Sequence, residues 1–265
     1  MTEHGSNQRS IDYGERGQVH IVADAEALAV AGANQLEAVL RQAVSDGRAA
    51  SVALSGGSTP KRMGQLLAAS PYAERIEWAR IRVFWGDERW VPIGDPESNA
   101  GEAKRGFLDR VPLPKDQIHT FETQHGTPEL AAEQYEQTVL EVVPSGDGIP
   151  QFDLIFLGMG DDGHTASLFP GTSAVHEQTR LVVANPVSKL NTIRLTFTSP
   201  LINAASLVVF LIGGAGKAEM LHKVLDGPVD VDLTPSQIVR PVRGSLVWIV
   251  DEAAAARLEQ GPRRG

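Results

Sequence analysis

The chain contains no cysteine. A disulfide scaffold, a thiolate metal site and a cysteine nucleophile are therefore excluded, and the absence fits a reducing compartment. Nor is there an excess of basic residues. Lys plus Arg number 24 against 33 Asp plus Glu, a formal net charge of −9 over 265 residues. Such a balance argues against nucleic-acid and anionic-membrane partners, which usually leave a basic face in the composition. No stretch reaches the ~18 uninterrupted apolar residues of a membrane span. The polar start, Met1 to Tyr13, has no apolar core of a secretory signal. These absences point to the cytosol, with residues 1–13 and 259–265 expected as frayed ends. Hydrophobic residues at 42% leave ample material for a core.

Short β-branched runs alternate with longer amphipathic segments. Strands are expected at Val19–Ile21, Ser51–Leu54, Ile81–Trp85, Leu154–Leu157, Ile193–Phe197, Leu207–Ile212 and Leu246–Val250. Helical spacing of apolar residues marks Asp24–Ser45, Lys61–Ala69, Glu129–Val142 and Lys217–Leu225. Leu108 to Ile118 reads as a Pro-punctuated loop, and Pro144–Pro150 as a turn-rich linker within a single domain spanning 1–265. The alternation and the near-continuous apolar strands predict an α/β fold: a mostly parallel, twisted, Rossmann-like open sheet with helices on both faces. In such sheets ligands bind beyond the carboxyl ends of the strands, so the segments after each strand are where chemistry is sought.

After Ser51–Leu54 comes Ser55-Gly56-Gly57-Ser58-Thr59-Pro60. Two glycines permit a tight turn, two hydroxyls stand ready, and a helix start supplies free N–H donors, a combination suited to a phosphate. An ordinary capped strand–helix turn is the plainer alternative. The Gly-Lys-Ser/Thr ending of a nucleotide P-loop and the G-x-G-x-x-G spacing of a dinucleotide site are both missing.

Ile81–Trp85 is followed by Gly86-Asp87-Glu88-Arg89-Trp90, three charges between two tryptophans, where a site and a structural Arg–carboxylate pair compete as readings. Ser98-Asn99 nearby can supply polar contacts or a plain turn. Beyond Leu154–Leu157 lies the most informative segment, Gly158 to Pro170, in which His164 follows Asp161, Asp162 and Gly163. A histidine in a glycine-rich turn past a buried strand can reach substrate, and a neighbouring carboxylate can orient its ring and stabilise the imidazolium. The other histidines (His4, His20, His119, His125, His176 and His222) read as solvated or packing residues. The spacing around His164 matches no metal-binding motif, and neither Ser55 nor Ser167 lies in a Gly-x-Ser-x-Gly elbow. After Leu207–Ile212 comes Gly213-Gly214-Ala215-Gly216-Lys217. A lysine opening a helix is disfavoured by the helix dipole, which tilts Lys217 towards a ligand contact. Arg194, set in an apolar strand, is the other basic residue in such a context.

Together these segments resemble the 6-phosphogluconolactonase family, within the wider fold group that includes glucosamine-6-phosphate deaminase and ribose-5-phosphate isomerase. The resemblance runs from Ser51 to about Leu225 and is strongest in Gly158–Pro170 and Asp87-Glu88-Arg89. It implies hydrolysis of 6-phosphoglucono-δ-lactone in the oxidative pentose phosphate pathway, with no metal and no organic cofactor. It further implies that His164 is the general base, that Asp162 or Asp87 orients it, and that Arg89 stabilises developing charge or grips substrate. Ser55, Gly56, Gly57, Ser58, Thr59, Arg194 and Lys217 would hold the phosphate. The deaminase is the nearest alternative. Its motif places a proton-moving glutamate five residues after the histidine, where this chain has Phe169, and commonly has Asp-Glu-Tyr where this chain has Asp87-Glu88-Arg89. Both departures favour the lactonase. A non-catalytic sugar-phosphate sensor is a third reading, one that needs a phosphate loop but no base. The oligomeric state is left open by the sequence.

Overall fold

The computed structural model describes residues 9–146 and 148–259. In chain order the strands are Arg9–Asp12 (β1), Gln18–Val22 (β2), Ala50–Leu54 (β3), Ile81–Trp85 (β4), Asp87–Arg89 (β5), Ser145–Gly146 (β6), Ile149–Pro150 (β7), Leu154–Leu157 (β8), Val182–Val187 (β9), Thr192–Phe197 (β10), Leu207–Ile212 (β11) and Ser245–Asp251 (β12). The α-helices are Ala25–Ser45 (α1), Ser58–Leu67 (α2), Tyr72–Arg75 (α3), Asn99–Gly106 (α4), Pro128–Val142 (α5), Ser199–Ala204 (α6) and Ala218–Leu225 (α7). Among the described residues, no helix is long and apolar enough to cross a membrane.

Seven strands form the main sheet in the order β1-β2-β12-β11-β8-β3-β4, and every neighbouring pair is parallel except β1 with β2. Its central strands β3 and β8 are buried at every position, which is why they read as unbroken apolar runs. Helices lie on both faces, as the sequence pattern predicts. Leu211 of β11 meets Gly32 of α1, which also approaches Met63 of α2. Its neighbour Phe210 points to the opposite face. There it stacks on Trp248 at 3.8 Å, and Trp248 lies beside Val224 and Leu225 of α7. Each such fully buried large side chain stabilises the fold by roughly 1.5–3 kcal/mol. α1 begins where Asp24 caps it, accepting a hydrogen bond from the Ala27 N–H.

The structure corrects several expectations. The strand at Ile193–Phe197 does not join the parallel sheet. As β10 it is the centre of a separate antiparallel sheet, β5-β10-β9, of which Asp87–Arg89 is a strand rather than a loop. β9 carries Asn185 and Pro186, a strand-breaking pair in sequence, yet it is an edge strand, where a proline is tolerated. Lastly, Arg9–Asp12 is not frayed: it pairs with β2, burying Ile11. The adjoining Tyr13 hydroxyl donates to the Glu259 carbonyl and lies 3.1 Å from Asp226, joining the first and last described segments. The remaining expected tail residues, 1–8 and 260–265, lie outside the described residues. Pro144–Pro150, expected as a linker, carries the short antiparallel β6–β7 ladder.

Candidate active site

β8 ends in a buried apolar run, and the chain then turns back on itself. The Gly160 N–H donates to the His164 carbonyl at 2.8 Å, and the Gly163 N–H donates to the Gly160 carbonyl at 3.1 Å. This turn requires its glycines. Gly163 has φ +81°, and a Cβ on Gly160 would sit 2.0 Å from the His164 ring nitrogen. Ser236 fastens the turn from outside by donating to the Gly163 carbonyl.

The folded turn brings His164 Nδ1 to 2.5 Å from Asp162 Oδ1. An ionised carboxylate only accepts, so Nδ1 carries the proton and Nε2 keeps its lone pair. One face of the ring stacks on Phe169, centroids 4.0 Å apart. Burial is the largest influence on the imidazole and holds its pKa well down, at about 4. Lys217 and Arg194 push the same way, while Asp87 and Asp161 oppose them. His164 is thus neutral at physiological pH. The other oxygen of Asp162 accepts from Lys189 Nζ.

The antiparallel sheet supplies the opposite wall. In its ladder Arg194 pairs with Arg89, and Thr196 with Asp87. Asp87 accepts from the Ser167 hydroxyl at 2.7 Å, and the Ser167 N–H donates to Thr196 Oγ1. The residue between the histidine turn and that anchor, Ala166, has φ +46°, a left-handed conformation uncommon for a residue with a Cβ. Of the two carboxylates considered for His164, Asp162 touches the ring and Asp87 is bound to Ser167.

Glu88 is buried and faces away from this chemistry. It accepts from the N–H groups of Arg89, Asn99 and Ala100, and from the Ser98 hydroxyl, so it anchors the start of α4. Burial raises its pKa, and the three backbone hydrogen bonds counter that rise. Arg89 forms no ion pair among the described residues. Its Nη1 donates to the Glu97 carbonyl at 2.6 Å and to Asn99 Oδ1 at 2.7 Å. Asn99, read from sequence as a polar contact or a turn, is the link to the glycine loop: a Cβ on Gly56 would land 1.9 Å from its Oδ1.

The basic residues converge. Arg194 is half-buried, its Nε without a hydrogen-bond partner among the described residues. Burial and the Arg89 guanidinium beside it lower its pKa. Two arginines opposite each other in the ladder, one with no partner at Nε among the described residues, make a local attraction for an anion despite the net charge of −9. Lys217 donates to Asp161 at 2.6 Å, which offsets its unfavourable place ahead of α7, so an anion placed here would have to compete with Asp161 for it. The buried Ser55 hydroxyl also has no partner among the described residues. Gly57, at φ +111°, precedes α2, whose first turn holds Ser58 and Thr59. Those two hydroxyls bond to none of the other candidates among the described residues. No group of three or more His, Asp or Glu side chains there could hold a metal ion.

Sequence reasoning missed Lys189, Thr196 and Asp251. The last accepts from the Gly214 N–H and so holds the turn that carries Lys217. None of the three lies in a motif, and their roles depend on the turn and strand contacts of the folded chain.

Residues 23–248 match the family model for glucosamine-6-phosphate isomerases/6-phosphogluconolactonase. The chain belongs to this family. It is 39% identical over 241 residues to a 6-phosphogluconolactonase of Nostoc sp., covering 91% of this chain and 98% of that relative. A 6-phosphogluconolactonase of Synechocystis sp. is 40% identical over 220 residues, covering 83% and 89%. Among solved structures, 6-phosphogluconolactonase from Trypanosoma cruzi superposes with a TM-score of 0.81 at 26% identity, covering 95% of this chain and 99% of that one. A monomeric glucosamine-6-phosphate deaminase, TM-score 0.77 at 22% identity, shares the fold. The family read from the motifs is the family found.

Proposed function

We propose that this chain hydrolyses 6-phosphoglucono-δ-lactone to 6-phosphogluconate in the cytosol, with His164 as the general base and no metal or organic cofactor. The observation that carries the reading is the bond from His164 Nδ1 to Asp162, which leaves Nε2 without a hydrogen bond among the described residues, in a pocket where Arg194 is near enough to act on the ring and its Nε has no partner among those residues.

In this mechanism Nε2 takes a proton from water as the water oxygen adds to the lactone carbonyl carbon. The carbonyl electron pair moves onto oxygen, and Asp162 steadies the imidazolium that forms. When the tetrahedral intermediate collapses, the bond from the carbonyl carbon to the ring oxygen breaks. Nε2 returns its proton to that leaving oxygen, and the new carboxylic acid loses its proton to solvent. Arg89 meets the developing negative charge or grips the substrate. Arg194, Lys217 and the Ser55–Thr59 loop, with Gly56, Gly57 and Ser58, hold the phosphate. A general base contributes ~10²–10⁴-fold, enough for an activated ester that already hydrolyses in water.

The deaminase reading needs a proton-moving side chain where Phe169 packs flat against His164. The two are separated by offering the protein freshly generated lactone and, separately, glucosamine 6-phosphate. Accelerated loss of the lactone without ammonia release supports the lactonase. Ammonia release without lactone loss refutes it.

A further inference from the structure

Between β9 and β10 the chain makes a tight helical turn, Ser188–Leu190, closed by Asn191 in the left-handed region at φ +48°. The turn projects Lys189 back over the histidine loop. Its half-exposed ammonium group makes two contacts there: it donates to Asp162 Oδ2, and it lies 5.0 Å from the centre of the Phe169 ring. Those two partners are the groups that hold His164, the carboxylate at Nδ1 and the ring on its face.

We propose that Lys189 is a positioning residue for His164, a cation that fixes Asp162 and Phe169 against the imidazole and offsets the Asp162 charge that would otherwise make it more basic. The proposal rests on the reading of His164 as the base. A carboxylate with one oxygen on a lysine and the other on an imidazole has little rotational freedom, so Oδ1 stays on Nδ1. The shared negative charge also binds a proton on the imidazole less strongly than a free carboxylate would. Lys189 itself moves no proton. It reaches the site from the hairpin whose second strand carries Arg194, so one element sets both the anion pocket and the base.

The charged groups facing His164 are Asp161 and Asp162 from its own turn, Asp87 from β5, Arg194 from β10 and Lys217 from the turn before α7, with Lys189 acting through Asp162. Of the cations among the described residues, Lys189 is the one bonded to the carboxylate that touches the ring, so it can be removed with the others in place.

The test is an NMR titration of the His164 ring, identified by its loss in His164→Gln, in the wild type, Lys189→Met and Lys189→Arg. Removing the cation should raise the His164 pKa by about one unit, a tenfold gain in proton affinity, and Lys189→Arg should restore the wild-type value. In parallel, Lys189→Met should lower kcat on the lactone with little change in KM, since no phosphate contact is lost. A Lys189→Met protein that titrates like the wild type overturns the proposal, whatever its activity. If the pKa shifts as stated but the wild type does not hydrolyse the lactone, the coupling stands and the assignment of His164 as a lactone base falls.

Discussion

The two sheets serve the site by different means. The seven-stranded parallel sheet contributes what lies beyond its strand ends: the Ser55–Thr59 loop after β3, the histidine turn after β8 and the Lys217 turn after β11. Each is a glycine-dependent backbone shape that places a side chain. The three-stranded antiparallel sheet contributes side chains from within its strands, Asp87 and Arg89 on β5 and Arg194 on β10, aligned by ladder register. One sheet thus makes the turns that carry His164 and Lys217, and the other holds charges at a fixed spacing. A small backbone change should damage the first, whereas the second should tolerate changes that spare its ladder.

The largest effect expected from this contrast is in the histidine turn. Gly160→Ala puts a methyl group 2.0 Å from His164 Nδ1 and 2.7 Å from Asp162 Oδ1, so the ring must move. kcat should fall by at least roughly 10²-fold, the scale of a misplaced catalytic group, with a smaller change in KM. Steady-state kinetics on the lactone would show it, and wild-type kcat would mean the turn does not set the base. On the other sheet, Arg194→Met should lower kcat/KM by about 10–10²-fold through weaker binding of the anion. Its thermal stability should hold or rise, because the half-buried guanidinium it removes has no partner at Nε among the described residues. Several degrees of destabilisation with unchanged kinetics would make Arg194 structural instead. Glu88→Ala marks the limit of the sheet's tolerance, since Glu88 ties β5 to the start of α4. Losing it strands the N–H groups of Asn99 and Ala100, at a cost of about 2–3 kcal/mol in denaturant unfolding. Its effect on kcat should be the least of the three, since it is Asn99 and Glu97 that hold Arg89.

The same contrast explains which elements are legible in the sequence. β3, β4, β8, β11 and β12 announce themselves as apolar runs ending in glycine or charge, because both of their faces are covered. The turns after them follow from that, which is why His164, Lys217 and the glycine loop stood out. The antiparallel sheet was opaque for a physical reason. Asp87-Glu88-Arg89 has no strand-like composition, and Asn185-Pro186 interrupts β9, so only pairing with Ile193–Phe197 makes either a strand. That Arg194 stands opposite Arg89, and that Glu88 turns inward to α4, are facts of register and long-range contact. Choosing between Asp162 and Asp87 as the partner of His164 likewise needed the turn geometry, since Asp87 is near enough in the fold to act on its charge while Asp162 touches the ring.

The central claim is that a neutral His164 activates water against the lactone. Its most direct test is the rate of lactone loss with wild type and His164→Ala between pH 5 and pH 7, each corrected for spontaneous hydrolysis. Because the imidazole pKa is held at about 4, the base stays unprotonated across this range and is lost only as pH falls through that value. Ionisation of the substrate phosphate affects both proteins alike. The wild type should therefore exceed His164→Ala by roughly 10²–10⁴-fold, with the ratio nearly constant from pH 7 to pH 5. A folded His164→Ala protein that hydrolyses the lactone at the wild-type rate would contradict the account.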